Sequence, residues 1–253
     1  MRLLRADNDG EVSLVGPFAR EETPRYAILS HTWGSDRDEV SFTDFQSGIA
    51  KSMAGYKRIA FCQQRAVADG LNHFWIDTCC IDKRSSAELS EAINSMFRWY
   101  RESDRCYVYL EDVSISNRND FMAIFCASRW MTRGWTLQEL LAPFSVEFFS
   151  VEGELLGTKD SLGELISKAT TISVAALTAL TPMTFSRHER MRWVQRRTTK
   201  IEEDMVYCML GLFEVSLPLI YGEGRQNALV RLDEAVSRRV AYTSARTLGK
   251  YSQ

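Results

Sequence analysis

The sequence predicts an α/β protein, with a parallel β-sheet flanked by helices and a helical subdomain after it. Three observations carry this. Over the first ~150 residues, short β-type runs alternate with helical patterns, as a parallel sheet with crossover helices requires. From about Ser161 the strand signal fades and helical periodicity takes over. The chain has 253 residues and is 45% hydrophobic, enough to hide roughly 70% or more of its unfolded surface.

The first strand is Arg25 to Ser30, running into His31-Thr32-Trp33-Gly34. A helix is expected from about Gly55 to Asp69, with Tyr56, Ile59, Ala60, Gln63 and Val67 near one face. Gly70 is suited to stop it, because glycine tolerates the left-handed C′ conformation. The second strand is His73 to Asp77, and Thr78 to Lys83 form a loop. Ser85 to Glu88 fit a capping box. The helix it opens sets Leu89, Ile93, Met96, Phe97 and Tyr100 on one core-facing stripe. Cys106 to Leu110 form the third strand. A polar loop, Ser114 to Asp120, precedes a helix over about Trp130 to Leu141, stopped near Pro143. Val146 to Phe149 make the fourth strand. Beyond it, helices are expected over Leu162–Ala169, Ser186–Arg197, Ile201–Phe213 and Asn227–Ser237. This divides the chain into an α/β core (1–155), a helical subdomain packed on it (156–240) and a tail or linker start (241–253).

Composition excludes several classes. A net charge of −2, from 31 Lys+Arg against 33 Asp+Glu, argues against disorder and against a binder of nucleic-acid polymers. No apolar run suits a signal peptide or approaches the ~18–20 residues of a membrane span. The six cysteines are scattered through apolar patterns and read as reduced core thiols, so the expected compartment is cytoplasmic. No spaced ligand set predicts a metal site.

In doubly wound sheets, ligands bind beyond the carboxyl ends of the strands. Here those ends are Ser30 to Gly34, Asp77 to Cys80 and Leu110 to Asp112. Ser30, His31, Trp33 and Gly34 crowd one end and nominate themselves for ligand contact, although a histidine in such a turn also serves as a structural hydrogen-bonder. Asp77 suits a ribose hydroxyl or a cap on the cysteine loop. Arg129 and Arg133 can pair with pyrophosphate oxygens or form surface ion pairs. Cys79 or Cys80 with His31 meets the geometric requirement for a Cys–His nucleophile, against the plainer reading of packed thiols. Arg190, Arg196, Arg197 and Glu202-Glu203-Asp204 read as a mixed-charge face that fixes the subdomain.

The stretches YAILSHTWG, FWIDTCCIDK, AELSEAINSMFRWY, RCYVYLEDV, SRWMTRGWTLQELLAP and LPLIYGEG resemble, in order and spacing from about Tyr26 to Leu232, the fungal heterokaryon incompatibility (HET) domain. The resemblance extends to HET domains at the N-termini of fungal NOD-like receptors with WD repeats, which trigger cell death when unlike strains fuse. It implies an effector domain cut from a longer, self-associating receptor. The chain also resembles, more distantly, Toll/interleukin-1 receptor (TIR) domains, which implies a TIR-like, flavodoxin-like parallel sheet. Tyr26 to His31 and Phe74 to Asp77 are similar to the first two TIR strands, and Trp135 to Leu140 resembles the Trp-Cys-Leu-Asp-Glu-Leu stretch of plant TIR domains. In TIR enzymes that cleave NAD, the Glu of that stretch is catalytic, and it falls on Glu139. The loop after Asp77 is Cys-rich rather than the usual TIR loop, and the helical C-terminal part has no TIR counterpart.

The resemblance therefore implies NAD as substrate rather than cofactor, with Glu139 catalytic and Trp135 beside it. On a helix starting near Trp135, Leu137, Leu140 and Leu141 point one way while Trp135 and Glu139, four apart, share the opposite face. There the carboxyl either stabilises an oxocarbenium-like centre or is an ordinary solvated residue. A non-enzymatic module that signals by self-association is the alternative expectation.

Overall fold

The computed structural model describes residues 1–7, 9–35 and 37–249. Its strands are β1 (Leu3–Ala6), β2 (Val12–Val15), β3 (Ala27–His31), β4 (His73–Trp75), β5 (Arg105–Tyr109), β6 (Val146–Phe149) and β7 (Leu155–Thr158). They form one sheet in the order β2-β1-β4-β3-β5-β6-β7. The α-helices are α1 (Phe42–Gln46), α2 (Tyr56–Ala68), α3 (Ser86–Glu102), α4 (Phe121–Ala127), α5 (Arg129–Thr132), α6 (Thr136–Leu141), α7 (Gly163–Thr170), α8 (Val174–Leu177), α9 (Arg187–Arg192), α10 (Asp204–Tyr207) and α11 (Gly224–Gly249).

The expected α/β class is what the chain adopts. The four strands read from the sequence are the parallel centre, β4-β3-β5-β6. Numbered along the chain, that order is 2-1-3-4, the doubly wound order of flavodoxin-like sheets, with its switch point between β3 and β5. Every residue of β3 is buried, which is why Ala27 to Leu29 is a continuous apolar run rather than an alternating one. Helix packing over both faces leaves the carboxyl ends of the strands as the place where polar side chains meet a cavity.

The sheet is wider than the sequence pattern suggests. β1 and β2 extend one side antiparallel, and β7 extends the other. Each has only four residues and pairs antiparallel, without the alternation with helices that marks the central strands. β7 pairs with β6 and so continues the sheet across the expected boundary at residue 155. One hydrophobic core runs from Leu3 to Val236, so the helical part is packed on the sheet. α11 runs through Gly249, past Ala241 where the pattern fades, and residues 250–253 of the expected tail lie outside the described residues.

Three local expectations change. In α2 the buried face is Arg58, Ile59, Cys62 and Ala66 with Phe61, and Val67 is exposed. Gly70, at φ +72°, ends the helix as expected. At α3 the Ser85 side chain accepts from the Glu88 N–H, but the Glu88 carboxylate turns to the Asp82 N–H at 2.9 Å, so the reciprocal half of the capping box is absent. Finally, the helix expected over Trp130 to Leu141 is two short helices, α5 and α6. Arg133 between them is extended, because the chain there pairs with Thr198. Only a glycine allows that approach: a Cβ on Gly134 would sit 2.4 Å from the Thr199 Cγ2, while its N–H donates to the Thr198 carbonyl at 2.9 Å.

Candidate active site

The break between α5 and α6 aims α6 at the carboxyl end of β3. All six α6 residues are buried, including Glu139, so the solvated alternative for that carboxyl does not hold. The Ser30 hydroxyl donates to Glu139 Oε2 and accepts from the Trp130 indole N–H at 2.7 Å. Burial is the main force on the Glu139 carboxyl, and the Asp77 charge adds to it. Ser30, Arg133 and Tyr100 oppose them, and the group is pushed up to about 8. Burial thus favours the protonated form of this carboxyl at neutral pH.

Glu139 faces a cavity of about 380 Å³, within the range of small-molecule sites. His31, Trp33, Asp77, Arg133 and Trp135 line it together with Glu139. Ser30 stands behind Glu139, and Gly34 donates its N–H to Glu39 Oε1 at 2.7 Å, so these two support the site from behind. Trp33 donates its indole N–H to Asp77 at 2.8 Å, and the Lys83 ammonium lies 3.6 Å from the Trp33 ring centroid. Asp77 thus holds Trp33 in place, while β4 itself stops at Trp75.

Several lining residues escaped the sequence reading. Leu89, Ile93 and Met96 of the α3 stripe, expected in the core, form an apolar wall, and Lys83, Ile201, Asp204 and Tyr221 complete the lining. Asp204 accepts from the Trp135 indole at 3.2 Å and from the Tyr221 hydroxyl at 3.1 Å, and burial raises its carboxyl above the ordinary range. The signal was present in the Glu202-Glu203-Asp204 run and the LPLIYGEG stretch, but pairing them with Trp135 needs the fold.

Other expected roles fall away from the cavity. Arg129 is exposed, with its Nε 3.7 Å from Asp112, and so takes the ion-pair alternative. Cys79 and Cys80 are buried and neither lines the cavity that holds His31. A hydrogen bond between its thiol and Cys80, then burial, raises Cys79 well above its ordinary value, so the pair takes the packing alternative to a Cys–His nucleophile. Arg190 and Arg197 bind carbonyls rather than carboxylates. Arg190 donates to Leu212 O at 2.7 Å, and Arg197 donates to Arg133 O at 2.7 Å and Thr136 Oγ1 at 2.8 Å. Burial lowers Arg197 to about 10, and its contacts pin the start of α6 from the helical part. Among the described residues, no helix is long and apolar enough to cross a membrane, and no group of three or more His, Cys, Asp or Glu could hold a metal ion.

No solved structure matches the chain. Vegetative incompatibility protein HET-E-1 of Podospora anserina is 50% identical over 243 residues, covering 94% of this chain and 18% of that protein. The chain thus spans about a fifth of the length of the curated relative it matches. A family model described as heterokaryon incompatibility protein (HET) matches residues 26–124, the stretch that holds β3, β4, β5 and the His31, Trp33 and Asp77 side of the cavity. Residues 26–124 thus match the heterokaryon incompatibility (HET) domain, and the chain is similar over most of its length to part of a fungal incompatibility protein.

Proposed function

We propose that the domain is the effector of a self/non-self recognition receptor and hydrolyses NAD at the nicotinamide–ribose bond when the receptor oligomerises, with Glu139 as the catalytic carboxylate. Cell death in vegetative incompatibility is then the outcome of cytoplasmic NAD loss. The observation that carries this reading is the buried Glu139 carboxyl in a cavity walled by Trp33 and Trp135 at the end of β3.

Breaking that bond sends its electron pair to the pyridinium nitrogen. Nicotinamide departs neutral, so no general acid is needed, and positive charge develops on the ribose as in glycoside cleavage. A carboxylate fixed beside that charge stabilises it without reorganising. The raised Glu139 pKa fits this use, because a cationic nicotinamide entering the cavity favours the ionised form and expels a proton as it binds. The Trp135 indole suits a flat cationic ring and Arg133 suits phosphate oxygens, while the Lys83 ammonium lies over the Trp33 ring.

The test is nicotinamide release from NAD by the purified domain, held together by a fused coiled coil. Wild type should turn over, and Glu139→Gln should lose roughly 10²-fold or more. No release by the oligomerised wild type, or equal release by the variant, overturns the reading. A Glu139→Gln domain that still kills cells would instead favour the interaction module that signals by self-association.

A further inference from the structure

The proposed chemistry leaves a second step to be explained, because water must attack the ribose and surrender a proton. Successive residues of a strand point to opposite faces. Ser30 supports Glu139 on one face of β3, and His31 reaches the same cavity from the other. The His31 side chain is 1% exposed, with Nε2 3.5 Å from Glu39 Oε2. Among the described residues neither Nδ1 nor Nε2 makes a hydrogen bond, the Nε2 approach to Glu39 being an ion-pair distance. A buried imidazole at a cavity wall with an unpartnered nitrogen is a group waiting for a ligand atom.

Glu39 is itself held rigidly. Its Oε1 accepts the Gly34 N–H at 2.7 Å and lies 3.2 Å from Arg58 Nη1, and Arg58 is paired in turn with Glu111 at 2.8 Å. Burial opposes its charge, but His31, the Gly34 N–H and Arg58 together keep the carboxyl below the usual range. An ionised Glu39 can only accept, so it favours the imidazole tautomer with hydrogen on Nε2. Nδ1 is then left as the basic nitrogen.

We propose that His31 is the general base of the hydrolysis, with Glu39 as its positioning residue. The inference rests on the NAD reading above. As the ribose–nitrogen bond breaks toward nicotinamide, the oxygen of a water bonds to C1′ and His31 Nδ1 takes its proton. The resulting imidazolium sits against the Glu39 carboxylate and returns the proton to solvent after ADP-ribose leaves.

This assignment separates two fates of one intermediate. Water loses a proton when it attacks, so it needs a base. A pyridine nitrogen has no proton to lose and needs none. The experiment follows NAD hydrolysis and exchange of nicotinamide for added 3-acetylpyridine side by side, in the coiled-coil-oligomerised domain. His31→Gln should lower hydrolysis roughly 10²-fold while exchange stays near the wild-type rate. Glu39→Gln should shift the ratio the same way by less, and nitrogen NMR should show its His31 ring passing from the Nε2–H tautomer to a mixture. With an active wild type, parallel loss of both reactions in His31→Gln, or a change in neither, overturns the role of His31 and leaves the NAD reading standing. A wild type that performs neither reaction overturns both.

Discussion

The Ser30 hydroxyl, 100 positions from Trp130 and 109 from Glu139, joins the two side chains. The direction of the relay is forced. An indole N–H only donates, so it occupies the Ser30 oxygen and leaves the single hydroxyl proton for Glu139. The carboxyl therefore keeps a hydrogen bond in either protonation state, in a place where burial alone would discharge it.

Glu139 should set a pH dependence of stability. It titrates at about 8 in the fold against an ordinary value of 4.5. Above 4.5 the unfolded chain loses a proton that the folded chain retains, so this group lowers stability as pH rises toward 8, and the effect levels off beyond. Its full size is about 5 kcal/mol at most. Glu139→Gln keeps a neutral acceptor for Ser30 and escapes this loss. Thermal unfolding should show the variant more stable than wild type at pH 8, with the gain vanishing near pH 4.5. A gain that does not vary with pH would contradict the buried, raised carboxyl.

Ser30→Ala should cost about 1–3 kcal/mol in urea unfolding, because it strands the Trp130 N–H in the core. It also removes a hydrogen bond that favours the Glu139 carboxylate, so the acid limb of kcat/KM for NAD should move to higher pH. An unmoved limb would mean that Ser30 does not tune Glu139.

Gly134→Ala should destabilise by about 1–3 kcal/mol, the usual cost of an overpacked site. The clash is with the Thr199 methyl, 2.4 Å from the added carbon. Thr199→Ser deletes that methyl, so the double variant should recover most of the loss. Denaturation of the four proteins in a double-mutant cycle measures the coupling, and strict additivity would place the constraint elsewhere.

Asp204→Leu removes both carboxylate oxygens, so the Trp135 indole N–H and the Tyr221 hydroxyl each lose their acceptor. Since Trp135 walls the cavity, KM for NAD should rise roughly 10-fold with a smaller change in kcat. Steady-state kinetics decides it. An unchanged KM would remove Asp204 from the site's support.

The parallel centre of the sheet was legible because its strands are apolar runs, as in Ala27 to Leu29 and Cys106 to Leu110, separated by helical patterns. β1, β2 and β7 were not, because they pair antiparallel with their neighbours and no crossover helix sets them off. The strand-end rule nominated Ser30, His31, Trp33, Gly34 and Asp77 before any resemblance entered, and the resemblance singled out Glu139 and Trp135. Local spacing could not decide whether Glu139 faced water. That depends on α6 turning inward, which follows from the approach of Thr198 and Thr199 to Gly134 and from Arg197 bonding the start of α6.

By itself, then, the sequence determined the α/β class, the strand ends that hold the polar residues, and the resemblance to HET domains. Tertiary structure alone decided the protonation state of Glu139, the pairing of Asp204 with Trp135, and the isolation of His31 against Glu39. Hydrophobic period is a property of neighbours along the chain. Burial of a charge and the partners that offset it belong to segments far apart in sequence, and only folding brings them together.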